Sequence, residues 1–234
     1  MVDAGLASLF DDAEEQRAYE EFCAQQEAAE RFQLDRPALV CRWRMHDRQV
    51  PLLNRHIRAL SERVVQGSPL THNMLSWVKQ HVEWSLAEGS YDDPSGVLML
   101  VIDVNGNAAM TVGSYAPLAD VSASALGERA CAARAEQAET GVAPEVLCAV
   151  EGGALRVAAA PDEHVCGAMT LVEQLAATCG HAVERGADPA SLAGALLLIS
   201  DEHGVVPAEG VLSDASEDAR IVRALQEGTA KLFS

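Results

Sequence analysis

Three stretches of the chain carry side chains whose types could do chemistry. His164-x-Cys166 and Asp201-Glu202-His203 offer imidazole, thiolate and carboxylate, the donors that transition metals take. Neither has tight ligand spacing, so both read as polar loop residues and no metal is expected. Cys166 stands just before a predicted helix, where the helix dipole favours a thiolate; the competing role is a small buried packer. Ser200, Asp201 and His203 include the groups of a hydrolytic triad, but residues so close in sequence rarely face one another. The third stretch is cationic: Arg42, Arg44, Arg48, Arg55 and Arg58 crowd together in an otherwise acidic chain. Arg42 and Arg44 share one face of a predicted strand, because side chains alternate there. Arg44 is a candidate for holding a small carboxylate; internal salt bridging to the surplus acids is the competing role.

The elements that must position these groups follow from periodicity and turn chemistry. Residues 5–33, 54–65, 71–87, 121–140, 166–179 and 217–233 have helical spacing. Residues 38–45, 50–53, 144–150, 154–159, 181–185, 196–200 and 205–207 read as strands, with a polar turn at 46–49. The apolar runs on either side of Asn105-Gly106 predict a hairpin, since that pair readily supplies the positive φ of a tight turn. The expected organisation is a helical extension over 1–34, a small α/β unit over 35–107, a joint at 108–118 and a larger α/β unit over 119–234. Two such units sharing a cleft make a mixed α/β protein.

The net charge of −18 over 234 residues argues against nucleic acid or an anionic membrane as partner. No apolar run is long enough to span a bilayer, and the acidic N-terminus lacks the pattern of a secretory signal. Cys23, Cys41, Cys131, Cys148, Cys166 and Cys179 are widely spread and form no CxxC pair, so free thiols and a cytoplasmic location are expected.

Four stretches resemble the class IV, or fold-type IV, pyridoxal-phosphate enzymes: the branched-chain and D-amino-acid aminotransferases and aminodeoxychorismate lyase. ALVCRWRMHDRQVPLLNRHIRAL is similar to the family's strand, turn and "H-x-x-R-L" helix. AMTVGSYAP is similar to "A-K-x-G-G-N-Y-x-P", and GALRVAAAPDEHVCGAMTLVEQLAATCGHAVERG to the region holding "G-I-T-R". LLLISDEHGVVPAEGV is similar to "v-F-l-t-G-T-A-A-e-v-x-P-V". The resemblance implies the two-unit fold of that family, and a homodimer. It also implies a vestigial cleft at Arg44, His56, Met110, Tyr115, Gly167, Thr170, Ser200 and Asp201.

The reactive positions depart from the pattern. The family lysine that condenses with the cofactor falls at Met110, and a thioether forms no imine. Lys79 and Lys231, the two lysines of the chain, lie outside the matching words. The arginine of "H-x-x-R-L" falls at Ala59, with Arg58 about 100° away around the helix. The phosphate-binding threonine of "G-T" falls at Asp201, and "G-I-T-R" reads Gly167-Ala168-Met169-Thr170. The glutamate-bearing "E-g-x-s-x-N-x-F" segment is missing between Val150 and Glu151-Gly152-Gly153. The expectation is a degenerate relative without pyridoxal phosphate that binds a small carboxylate or a protein partner. The alternatives are an active aminotransferase or lyase that uses the cofactor, and a cofactor-free enzyme working from Cys166, His164, Asp201 or His203.

Overall fold

The structure is a computed structural model that describes residues 14, 16–21, 34–65, 67–89 and 91–233. Most of the helix expected over 5–33 lies outside the described residues; residues 16–21 of it are helical (α1), and Tyr19 is buried with its hydroxyl donating to Gln80.

The Asn105-Gly106 turn is made as its residue types require. It joins β4 (Val97–Asp103) to β5 (Ala108–Gly113), with Gly106 at φ 83°. Asp103 is fully buried and holds the turn from inside. One carboxylate oxygen accepts from the Asn105 and Asn107 amides at 2.8 and 2.9 Å. The other accepts from Asn107 Nδ2 at 3.0 Å and the Asp35 amide at 3.1 Å. Burial alone would raise this carboxyl's pKa, but these bonds stabilise the ionised form and hold it below the usual value.

β1 (Pro37–Arg44) pairs antiparallel with β4, giving the order β1-β4-β5. Leu39, Cys41 and Trp43 face inward, and Arg42 and Arg44 fall together on the other face, as alternation predicts. Helices α2 (Leu53–Ser61) and α3 (His72–Glu88) cover the inward face. Met74, Val78, Val82 and Leu86 form the stripe of α3, and Thr71 caps it by accepting from the Met74 amide at 3.2 Å.

Two local expectations need correcting here. Residues 50–53 do not form a returning strand: the His46–Gln49 turn closes only an isolated bridge, and Pro51 has no N–H to continue a ladder. The helix expected to reach Val65 stops at Ser61. Val64–Val65 (β2) instead pairs with Ser68–Pro69 (β3), because β-branched valines favour extended backbone and Gly67 turns at φ 77°.

The second sheet has the order β10-β9-β6-β7-β8. Its strands are β6 (Glu145–Glu151), β7 (Ala154–Val157), β8 (Val183–Arg185), β9 (Ala195–Ser200) and β10 (Gly204–Pro207). β6 and β9 are central and buried on both faces, hence their unbroken apolar runs. One face packs on α5 (Gly167–Thr178) and α6 (Glu217–Ala230), and the other on α4 (Ala123–Thr140). The Gly152-Gly153 turn joins β6 directly to β7. The five described cysteines, Cys41, Cys131, Cys148, Cys166 and Cys179, are free. No helix among the described residues is long and apolar enough to cross a membrane.

The Asp103 cluster makes a quantitative prediction. Asp103→Ala removes the acceptor of four hydrogen bonds and should cost about 2–4 kcal/mol in urea denaturation. Because the folded pKa lies below the unfolded value, this stabilisation is complete above about pH 4 and is lost on further acidification. The variant should therefore lose part of the acid sensitivity of the parent.

Candidate functional site at the seam between the sheets

The site is built on the turn between β9 and β10. Ser200 ends β9, and Asp201, Glu202 and His203 form the loop before Gly204. Two of these side chains reach in different directions.

Asp201 reaches toward α2 and α5. Its Oδ2 lies 3.1 Å from His56 Nδ1, and its Oδ1 accepts from the Ala168 amide at 2.6 Å. That amide belongs to the first turn of α5, where backbone donors lack helical acceptors. His56 is 4% exposed, stacks on Trp43 at 5.1 Å and places Nε2 3.1 Å from the Pro51 carbonyl. Burial alone would raise the Asp201 carboxyl, but His56 and the Ala168 amide hold it below the usual carboxylate range. The backbone follows: the Arg44 amide donates to the Asp201 carbonyl at 3.1 Å, tying the end of β1 to the same turn. Gly167 is required by proximity, since a Cβ there would come within 2.7 Å of His56 Nδ1. Thr170 lies one turn on. Its hydroxyl donates to the Gly167 carbonyl at 2.7 Å and accepts from Arg55 at 3.2 Å.

His203 faces the opposite side, toward Tyr115, at 5.8 Å between rings. The Arg44 guanidinium lies over the Tyr115 ring at 3.2 Å from its centroid, with Phe233 at 5.3 Å. Arg129 of α4 grips Glu145 through two bonds, and its Nη2 lies 3.4 Å from His203 Nε2. Arginine only donates, so Nε2 must accept and the ring proton sits on Nδ1. Burial, then Arg129 and Arg44, push the His203 pKa down to about 4, so the ring is neutral. His203 Nδ1 and Arg44 Nε are buried and find no hydrogen-bond partner among the described residues. Two cavities flank this seam, each about 20 Å³, room for about one water. Cys41, Arg63 and Glu202 line one; His56, Leu171 and Phe233 line the other.

The structure therefore brings His56, Gly167 and Asp201 into direct contact, with Thr170 and Ser200 beside them. It brings Arg44, Tyr115 and His203 into a second group on the same turn. Met110 joins neither: it is half-buried on β5 against the first core, opposite Leu100. His164 pairs with Glu62 at 2.9 Å, and no group of three metal-ligating side chains occurs among the described residues. The Ser200–His203 contact runs from the His203 backbone amide, and Asp201 is committed to His56, so no hydrolytic relay forms. Cys166 is buried, and burial followed by the Asp201 charge pushes its thiol well up; the helix dipole does not prevail. Sequence reasoning placed Arg55 in the cationic stretch without its partner Thr170, and it missed Arg129 and Phe233. They sit far along the chain from their partners, and no local spacing marks them.

Two predictions test this geometry. Gly167→Ala should displace His56 and lower stability by about 1–3 kcal/mol, read by thermal denaturation. The His203 pKa is about 4 folded against about 6.5 unfolded, so the unfolded chain binds the extra proton between these values. Stability should fall by about 2 kcal/mol as pH drops from 6.5 to 4, and His203→Gln should flatten that slope in a urea series.

No protein-family profile and no curated protein sequence matches the chain. Solved structures do. A protein from Thermotoga maritima assigned as a branched-chain amino acid aminotransferase superposes with TM-score 0.57 at 14% identity, over 88% of this chain and 92% of its own. The 4-amino-4-deoxychorismate lyase of Pseudomonas aeruginosa gives 0.53 at 12% identity, over 82% and 90%. An aminotransferase from Brucella abortus, bound to the cofactor PLP, gives 0.52 at 13% identity, over 83% and 90%. The agreement covers most of both chains, and it shows that this chain has the fold of the class IV aminotransferases and aminodeoxychorismate lyases.

Proposed function

We propose that this protein binds a ligand on a class IV aminotransferase scaffold without pyridoxal-phosphate chemistry. The observation that carries the reading is Asp201. The resemblance assigns its position to the threonine of the phosphate-binding "G-T" word. Here a carboxylate already takes the Ala168 amide at the start of α5 and His56 beside it. A helix N-terminus is a natural anion site, and this one is filled by the chain's own anion. A phosphate dianion brought there would meet like charge. Met110 adds support, since it offers no amine and packs into the first core. Cavities of about 20 Å³ are far below the several hundred Å³ that a cofactor-sized ligand fills. The residues present do not fit pyridoxal phosphate.

The ligand class favoured at the seam is a small carboxylate. Arg44 Nε and His203 Nδ1 are donors without an acceptor, and Arg42, Arg44 and Arg129 gather positive charge around them. The flanking cavities hold about one water each and are lined by neither Arg44 nor His203, so a carboxylate reaches these donors only as the side chains around them part, which favours a two- or three-carbon acid over a branched-chain amino acid. Pairing of two copies belongs to the same reading.

The first test is spectroscopic. With pyridoxal phosphate added, the protein should show no visible band of a lysine–cofactor adduct, and borohydride should fix no label. A label on Lys79 or Lys231 would restore the enzyme reading. The second is calorimetric titration with acetate and pyruvate. Arg44→Lys keeps the charge but removes Nε, and should weaken binding about tenfold. Unchanged binding by that variant would remove the carboxylate assignment.

A further inference from the structure

The first sheet ends in two edge strands that differ in kind. β1 carries Arg42 and Arg44 and gives its last amide to the Asp201 carbonyl. The edges of the second sheet are blunted too: β8 is three residues long and carries Glu184 and Arg185, and β10 ends in Pro207. Charge, shortness and proline are the means by which an edge is kept from pairing with another chain. β5 has none of them. It runs for six residues without a proline, and no Asp, Glu, Lys, Arg or His occurs from Val104 to Ala119, on a chain of net charge −18.

The register shows which backbone groups of β5 point outward. The Asp103 amide donates to the Asn107 carbonyl at 2.9 Å, so these residues face each other as a hydrogen-bonded pair. Alternation along the antiparallel ladder makes Val101–Ala109, Met99–Thr111 and Val97–Gly113 hydrogen-bonded pairs as well. The Gly113 carbonyl agrees, since a Cβ on Gly96 would collide with it. Ala108, Met110 and Val112 therefore turn N–H and C=O away from β4, while their side chains pack on the first core. Among the described residues these outward groups meet no partner. Thr111 and Gly113 are exposed, and a Cβ on Gly113 would meet nothing within 4 Å, so the strand borders open space.

We propose that β5 is the interface between two copies of this chain, paired antiparallel about a two-fold axis at Met110 so that their first sheets become one. The outward residues fix the axis. Met110 then faces its own copy and Ala108 faces Val112, so every outward N–H meets an outward C=O. Charge selects the occupant. Two chains of net charge −18 repel one another, and their approach is least opposed along a stretch that carries no charge. A basic partner would instead be drawn to the acidic surface elsewhere and would gain nothing from this strand. The assignment rests on the reading that two copies pair, and not on what the seam binds.

Sedimentation of Val112→Pro and Val112→Ala is the test. Both remove the valine side chain, but only proline removes an outward N–H. The parent and Val112→Ala should be dimers, and Val112→Pro should raise the dimer dissociation constant tenfold or more. A nitroxide on Thr111→Cys, with Cys23, Cys131 and Cys179 changed to serine, reads the same contact without proline. In the proposed register the two labelled positions lie within about 10 Å, Cα to Cα, so the dimer should show strong dipolar broadening. A monomeric parent would end both the pairing of copies and this assignment. A dimer unmoved by Val112→Pro, or one without broadening, would leave the pairing standing and overturn the assignment to β5. If circular dichroism shows that Val112→Pro does not fold, the spin labels decide.

Discussion

A largely enclosed carboxylate must find partners, and Asp201 ties together three separate segments, two through its side chain and one through its backbone. Its side chain meets His56 of α2 and the Ala168 amide of α5, while its carbonyl accepts from Arg44 at the end of β1. Leaving such a charge unpaired would cost several kcal/mol, so each of these elements is held in register by the need to satisfy it. The constraint spreads outward. His56 stacks on Trp43, which alternation along β1 turns inward beside Cys41 and Leu39. Gly167 must lack a side chain because the imidazole occupies the space a Cβ would need. One turn residue thus joins β1, α2 and α5, beside the contacts of Arg55 with Thr170 and of His164 with Glu62.

The same residue bears on chemistry. A site that handles a phosphorylated cofactor needs uncommitted backbone donors and an amine within reach. Here the Ala168 donor is already committed to Asp201, and Met110 presents a thioether, half-buried against the first core. The Asp201–His56 contact fastens the β9–β10 turn to α2. The other side of the turn is different in kind. There, donors outnumber acceptors, and a neutral imidazole and a stacked guanidinium retain hydrogen-bonding capacity that the fold does not use.

The two sheets solve the core problem differently. The second is covered on both faces, by α4 on one side and by α5 and α6 on the other. Its central strands are therefore apolar throughout. The first is covered on one face by α2 and α3, and the Arg42 and Arg44 side chains fall on the other. That face is where positive charge enters the seam. The turn after β1 belongs to the same unit: Asp47 and Arg48 take left-handed φ values there, and Arg48 links the turn to the end of α3.

Elements with strong local signals were legible in the chain itself. The Asn105-Gly106 hairpin, the Thr71-capped helix and the stripe of α6 follow from turn chemistry and period, which act over a few residues. The order of four motif words was enough to indicate the fold. The strand expected at 50–53 failed because the absence of a Pro51 donor matters only once a ladder is tried, and the helix expected to reach Val65 yielded to a pairing with Ser68–Pro69. Sequence alone also determined that no lysine stands at the joint. The partner of Asp201 was a matter for tertiary structure. The contact joins residues 145 positions apart, and its worth comes from burial that no local pattern records. For the same reason the pairing of Arg129 with Glu145, the place of Phe233 and the three unpartnered donors, on Arg44, Arg63 and His203, emerged only when the chain was folded.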